Sequence, residues 1–206
     1  MKRYITFTFD DGLIKTAKIV EKINIPATFY IVLGWVLKEV EINDSFNLNL
    51  DHGNIKEWID LKLDIGCHTY NHSKIIDEYY SYNKFSNFFK NKPKNLATPY
   101  GINYKPKFYD SCKIGFYEKP YNFFKNSKQI NSINPNYDFK DKEYLKEVIE
   151  KCPENGWIVF TFHGIEEGWN PIKSKDLEFW IKFFNKKNFT FCSITEGVKK
   201  CTKFLL

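Results

Sequence analysis

Five ionisable residues stand at spacings that suit hydrolysis at a metal centre: the adjacent pair Asp10 and Asp11, then His68 and His72, and the distant His163. One carboxylate oxygen and two imidazole nitrogens form a three-ligand set with a position left for water, the pattern of catalytic zinc. We therefore expect Asp11, His68 and His72 to hold one divalent cation, zinc by default, with cobalt or nickel as substitutes and magnesium disfavoured by the histidines. Such an ion lowers the pKa of its water toward about 7 and polarises a carbonyl. Adjacent side chains of an extended segment diverge, which leaves Asp10 outside the ligand set and free to act as the base. His163 comes from far along the chain and can protonate the leaving group, completing the acid–base division that hydrolysis needs.

Taken singly, none of these signals decides anything. Asp-Asp-Gly is most often a turn, and His-x-x-x-His on a helix merely presents two imidazoles on one face. Together they occupy three of the chain's 4 histidines. His52 lies in the polar stretch 43–53 and is expected at the surface, outside the site.

The elements that must position these residues follow from patterning. Strands are predicted over 4–9, 27–33, 63–67, 95–98, 114–117, 129–133, 157–162 and 189–194. Helices are predicted over 13–23, 54–61, 75–89, 104–112, 141–152, 174–184 and 195–203, the last capped by Thr195. Strand–helix alternation requires a parallel sheet with crossover helices. Repeated about seven times, it either closes into a barrel or stays an open doubly wound sheet. A full eight-unit barrel takes about 250 residues, so a barrel of 206 must be reduced or irregular. In either case Asp10–Asp11, His68–His72, Pro99–Gly101 and His163 fall at carboxyl ends of strands, which share one face.

Composition narrows the function classes. A length of 206 residues, 43% hydrophobic, and the lack of any linker or repeat point to one domain over 1–206. The 20 Phe and 13 Tyr predict a ring-packed core. The net charge of +6 is carried by scattered lysines, with Arg3 the single arginine, which reads as a solvated surface and excludes a specific nucleic-acid partner. The amino terminus runs directly into the 4–9 strand, so no signal peptide is expected, and no apolar run approaches a membrane span. The 5 cysteines are unclustered and read as reduced thiols, so a cytoplasmic location is expected.

The motifs resemble those of the polysaccharide deacetylase family, the NodB-homology group of carbohydrate esterases. Thr8-Phe9-Asp10-Asp11-Gly12 resembles its first motif, and Asp64-Ile65-Gly66-Cys67-His68-Thr69-Tyr70-Asn71-His72 its second. Thr98-Pro99-Tyr100-Gly101 resembles the end of the third, and Phe160-Thr161-Phe162-His163 the last; Ile25–Tyr30 is similar to the family's second strand. The match runs in order from residue 6 to about residue 198. The resemblance implies a distorted (β/α) barrel of about seven parallel strands with outer helices. It also implies hydrolytic removal of an acetyl group from an amino sugar, with the Tyr100 backbone N–H beside Pro99 binding the oxyanion.

Two departures from the family pattern stand out. The third motif normally opens with an arginine, and Ala97 occupies that position here. Arg3 cannot replace it, lying about 23 Å from Asp10 along an extended strand; Lys119 is the substitute cation we expect. The fourth motif, an aspartate followed by tryptophan, has Asp138 as its nearest counterpart, without the tryptophan. Trp169 leads the candidates for stacking on a sugar face, ahead of Trp35, Tyr70 and Tyr100. A cytoplasmic enzyme cannot reach a finished wall polymer, so the expected partner is an acetylated amino sugar, nucleotide- or lipid-linked, as a precursor of surface polysaccharide. The alternatives are a sugar deformylase or other amidase with the same site, and a degenerate, non-catalytic carbohydrate-binding domain.

Overall fold

The structure, a computed structural model, describes residues 2–43, 45–89, 94–115, 120–123, 128–138 and 141–203. Nine strands are seen among them: β1 (Arg3–Phe9), β2 (Ala27–Ile31), β3 (Asp64–Cys67), β4 (Asn95–Ala97), β5 (Ser111–Ile114), β6 (Asn122–Phe123), β7 (Gln129–Asn131), β8 (Gly156–Phe162) and β9 (Phe189–Phe191). The helices are α1 (Ile14–Ile23), α2 (Leu33–Val36), α3 (Ile55–Asp60), α4 (Glu78–Phe88), α5 (Lys142–Glu150), α6 (Ser174–Lys186) and α7 (Ile194–Lys203). None of them is long and apolar enough to cross a membrane.

Seven parallel strands form a nearly closed barrel, in the order β1, β2, β3, β4, β5, β7, β8. Beyond β7, Ile133 makes the closure. Its N–H donates to Val159 O at 2.8 Å and its carbonyl accepts from Thr161 N at 2.7 Å. β8 then pairs with β1 from Tyr4↔Trp157 to Phe9↔Phe162. β6 lies antiparallel on β8, and β9 pairs with the first half of β1.

Side-chain alternation along these strands separates two cores. Ile5, Phe7 and Phe9 of β1, with Phe160 and Phe162 of β8, pack against helix residues such as Ala17 and Val20 of α1 and Trp180 and Phe184 of α6. The expected ring packing is found here: Phe160 meets Trp180 and Phe184 edge-on, both at 5.3 Å. Such pairs add about 0.5–1.5 kcal/mol each beyond their buried area. Residues of the opposite parity fill the barrel. Thr8 Oγ1 lies 3.2 Å from Thr161 Oγ1, and Trp157 Nε1 donates to Thr6 Oγ1 at 2.9 Å. Continuing the inward parity by one step past each strand leads from Thr8 to Asp10, from Gly66 to His68 and from Thr161 to His163. The site is thus the top layer of the barrel interior.

Three sequence expectations fail at the level of elements. No helix spans 104–112; residues 111–114 are β5. The reason is Glu78, a buried carboxylate at the start of α4. It accepts from the backbone N–H groups of Lys107, Phe108 and Tyr109, and from Tyr104 Oη. Those donors are spent on a side chain rather than on a helical ladder, and Lys105, preceding Pro106, is biased away from helix. Of the strand expected at 114–117, only 114 belongs to β5, which begins earlier, while 116–117 lie outside the described residues. Finally, α7 is capped by Ser193, not Thr195: Glu196 N donates to Ser193 Oγ at 3.2 Å and Ser193 N to Glu196 Oε2 at 2.8 Å.

Candidate active site

The chain reverses sharply after β1. Asp11 takes the left-handed conformation, φ 68°, and Gly12 follows at φ 69°. A side chain on Gly12 would meet Ile31 at 2.9 Å, so only glycine lets the turn pack on β2. Because Asp11 is left-handed, extended-chain divergence is not what separates the two carboxylates. Both face His68: its Nε2 is 3.5 Å from Asp11 Oδ1 and 4.0 Å from Asp10 Oδ2.

His68 and His72 do not sit on a helix. They belong to an irregular segment between β3 and α4, with Thr69 and His72 both left-handed, φ 62° and 53°. Residues forced into this region concentrate at functional sites, held there by their surroundings. Here the ties are His68 N to Ile31 O at 2.9 Å, Tyr70 N to Ser81 Oγ at 3.0 Å, and Gly34 N to Tyr70 O at 2.9 Å. The irregular segment still brings the rings together: the two imidazoles lie 5.0 Å apart, and His72 Nε2 is 3.4 Å from Asp11 Oδ1.

Asp11, His68 and His72 offer one donor atom each, all within 4.8 Å of one another. A tetrahedral site with bonds of about 2.0–2.1 Å has donor–donor edges of about 3.3–3.4 Å, close to the 3.4 and 3.5 Å found for the two His–Asp11 pairs. His68 Nδ1 lies 3.0 Å from Ala97 O, which can only accept, so Nδ1 carries the hydrogen and Nε2 turns its lone pair to the site. Burial pushes the His68 pKa down to about 3, keeping the ring neutral and ready to ligate. The donor set fits a divalent cation.

Around this set the structure adds residues that the sequence reading missed. Asn47 Nδ2 donates to Asp11 Oδ2 at 3.0 Å. His52 is buried rather than at the surface: its Nδ1 donates to Asp11 O at 3.0 Å and Gly12 O at 3.3 Å, bracing the turn. Both come from the stretch 43–53, whose polar composition carried no sign of burial. The largest omission is Lys113. Its Nζ reaches from β5 across the barrel interior to Asp10 Oδ2 at 2.8 Å and Thr161 Oγ1 at 3.1 Å. Lys119, the cation expected beside Asp10, lies outside the described residues.

The base and acid candidates share one cavity of about 820 Å³ with the metal ligands. Burial alone would raise the Asp10 carboxyl, but the charge of Lys113 and the hydrogen bond it donates outweigh that and hold the group below its ordinary value. Asp10 Oδ1 is buried and has no hydrogen-bond partner among the described residues. Burial lowers His163 from its ordinary value, against the pull of Asp11 and Asp10. Its ring meets Trp169 edge-on at 4.6 Å. Asp138 lines the same cavity but accepts from Asn134 N at 2.6 Å, and no hydrogen bond joins it to His163 among the described residues.

Of the aromatic candidates, Trp169 and the exposed Tyr100 line the cavity. Pro99 is buried at the start of a 3-10 turn, Pro99–Gly101, in which Tyr100 is left-handed at φ 59°. Trp35 and Tyr70 serve packing instead. Trp35 is buried against His52 and His72, 5.0 Å from each ring, while the buried Tyr70 bonds through its hydroxyl to Glu39.

No curated protein matches the chain by sequence. Solved structures share its fold. A deacetylase solved with substrate aligns over 97% of this chain and 92% of its own, at a TM-score of 0.57 and 16% identity. The Xyl-CE4 domain of a multidomain xylanase from the hindgut metagenome of Trinervitermes trinervoides aligns over 97% and 91%, at 0.58 and 15%. A CE4 family pseudoenzyme from Bacillus anthracis aligns over 96% and 66%, at 0.57 and 14%. At such identities the likeness is one of fold. The sequence model of the polysaccharide deacetylase family matches residues 1–117, which carry the first two motifs, the Pro99–Gly101 turn and Lys113. By that match the chain belongs to the polysaccharide deacetylase family.

Proposed function

We propose that the protein is a metal-dependent hydrolase that removes the acetyl group from an N-acetylated amino sugar, and that residues 1–206 form its single catalytic domain. One observation carries the reading: Asp11, His68 and His72, whose donor atoms lie together, line the same cavity as His163 and as Asp10, whose Oδ1 has no hydrogen-bond partner among the described residues. A non-catalytic binding domain needs neither of the last two groups.

A divalent cation at the three donors, zinc in our reading, supplies the Lewis acidity that makes water a nucleophile near neutral pH. Asp10 Oδ1 takes the proton from water, and His163, which burial favours as the neutral ring, must gain a proton before it can pass one to the departing amine nitrogen, so that over the turnover the proton removed from water balances the one delivered. The Tyr100 backbone N–H supports the oxyanion, and Trp169, beside His163, stacks on the sugar ring. Buried free thiols at Cys67, Cys112, Cys152 and Cys192 support a reducing, cytoplasmic setting and therefore a precursor of surface polysaccharide as the substrate.

Measuring metal content together with acetate release from N-acetylglucosamine oligomers, from a nucleotide-linked N-acetyl sugar and from a generic acetyl ester tests this reading. One bound ion per chain and metal-dependent acetate release are expected. A chain that holds its metal and releases acetate from none of these substrates would refute it.

A further inference from the structure

We propose that Lys113 is the positioning residue of Asp10, and that it keeps this carboxylate out of the metal's ligand set. The inference deepens the deacetylase reading, since it concerns the group assigned there as base.

Lysine is almost never buried unless paired, yet Lys113 is 3% exposed, in the middle of a barrel strand. It is anchored on three sides. Asp10 Oδ2 accepts from Nζ at 2.8 Å, Thr161 Oγ1 at 3.1 Å, and the ring of Tyr30 lies under the ammonium at 5.4 Å. These partners belong to or follow β1, β8 and β2, none of which neighbours β5 in the sheet. Only a side chain crossing the barrel interior can reach all three.

Room for that crossing comes from β4. Ala97 is the register partner of Lys113, so the neighbouring inward position holds one methyl group. The cation and the vacated volume are two halves of one arrangement.

Its consequence lies in the two oxygens of Asp10. Oδ2 is only 4.0 Å from His68 Nε2, close enough for a modest rotation to bring a second carboxylate into the donor set. The Lys113 hydrogen bond engages Oδ2 and leaves Oδ1 without a hydrogen-bond partner among the described residues, on a residue that lines the cavity. A carboxylate captured by the metal could no longer accept the proton.

The test uses the full chain with Lys113→Met, Lys113→Arg, Ala97→Arg/Lys113→Met and Asp10→Asn/Lys113→Met. Removing one partner of a buried pair strands the other charge, so Lys113→Met should lower Tm by about 6 °C or more, and Asp10→Asn/Lys113→Met should recover at least half of that loss. Zinc titration should show affinity in Lys113→Met equal to or tighter than the parent's, while kcat falls about 10²-fold or more with KM little changed. Returning the charge from the adjacent strand, in Ala97→Arg/Lys113→Met, should restore at least tenfold of the lost kcat. If Lys113→Met proves too unstable to study, Lys113→Arg takes its place: it keeps the charge and should keep zinc and turnover within about tenfold of the parent.

Weakened zinc binding in Lys113→Met, no thermal coupling between positions 10 and 113, or near-parental turnover without the cation would each overturn the proposal. A parent that binds zinc and hydrolyses nothing would defeat the deacetylase reading instead, and the coupling and the zinc affinity would still decide the role of Lys113.

Discussion

Asp11, His68 and His72 are held by different neighbours, and as candidate ligands each should be needed for the metal. His68 donates from Nδ1 to Ala97 O, Asp11 accepts from Asn47, and the His72 ring lies 5.0 Å from the rings of Trp35 and of Tyr100. His72→Ala should fold and lose the metal; stoichiometric metal retained by that variant would sink the ligand assignment. Asp10→Asn and His163→Ala remove proton-transfer groups but no ligand. Each should keep the metal and lose about 10²–10⁴-fold in turnover, and near-parental hydrolysis in either would remove the role given to that residue.

At the scale of elements, the segment Thr69–His72 depends on α2. Gly34 N donates to Tyr70 O, and the two backbones approach so closely that a Cβ at Gly34 would lie 2.5 Å from that oxygen and 2.5 Å from Val40 Cγ2. Gly34→Ala must therefore push the segment outward, carrying His72 with it. The expected cost is about 1–3 kcal/mol of stability, seen in denaturant unfolding. A zinc affinity lower by about tenfold or more should accompany it. Unchanged affinity together with lower stability would mean that the 69–72 loop holds its shape without α2.

Across the whole molecule, the buried ionisable groups make the metal-free protein sensitive to acid. His68 has a folded pKa of about 3 against an ordinary 6.5. Between those values the unfolded chain takes up a proton that the folded chain refuses, so stability falls as pH drops from about 6.5 toward 3. The slope approaches about 1.4 kcal/mol per pH unit for one such group. His163, shifted in the same direction, adds to the loss. Asp10, held below its ordinary 3.8, contributes stability that disappears at still lower pH. Chemical denaturation of the metal-free protein at pH 7.5 and pH 5 should show the decline; equal stability at the two values would mean that neither histidine is buried in its neutral form. Zinc at a hundredfold excess over its Kd should add about 2.7 kcal/mol at neutral pH, an increment that a chelator removes.

What the amino-acid sequence determined by itself is the cast of the site and its common face. Asp10, Asp11, His68, His72 and His163 were legible because each follows a strand whose period-2 pattern is local, and strand ends of a parallel α/β fold must share one side. Tertiary structure decided the rest. Closure of the barrel runs through Ile133, a contact with a strand far along the chain. The segment 104–109 is shaped by Glu78, a carboxylate on another element, which overrides its local helical signal. Lys113 and His52 looked like two more polar surface residues. Nothing near them in sequence distinguishes a lysine that faces water from one that faces Asp10, because its partners at Asp10 and Thr161 lie 103 and 48 residues away. Local pattern specifies which face a side chain takes, but only the closed barrel specifies what stands opposite it.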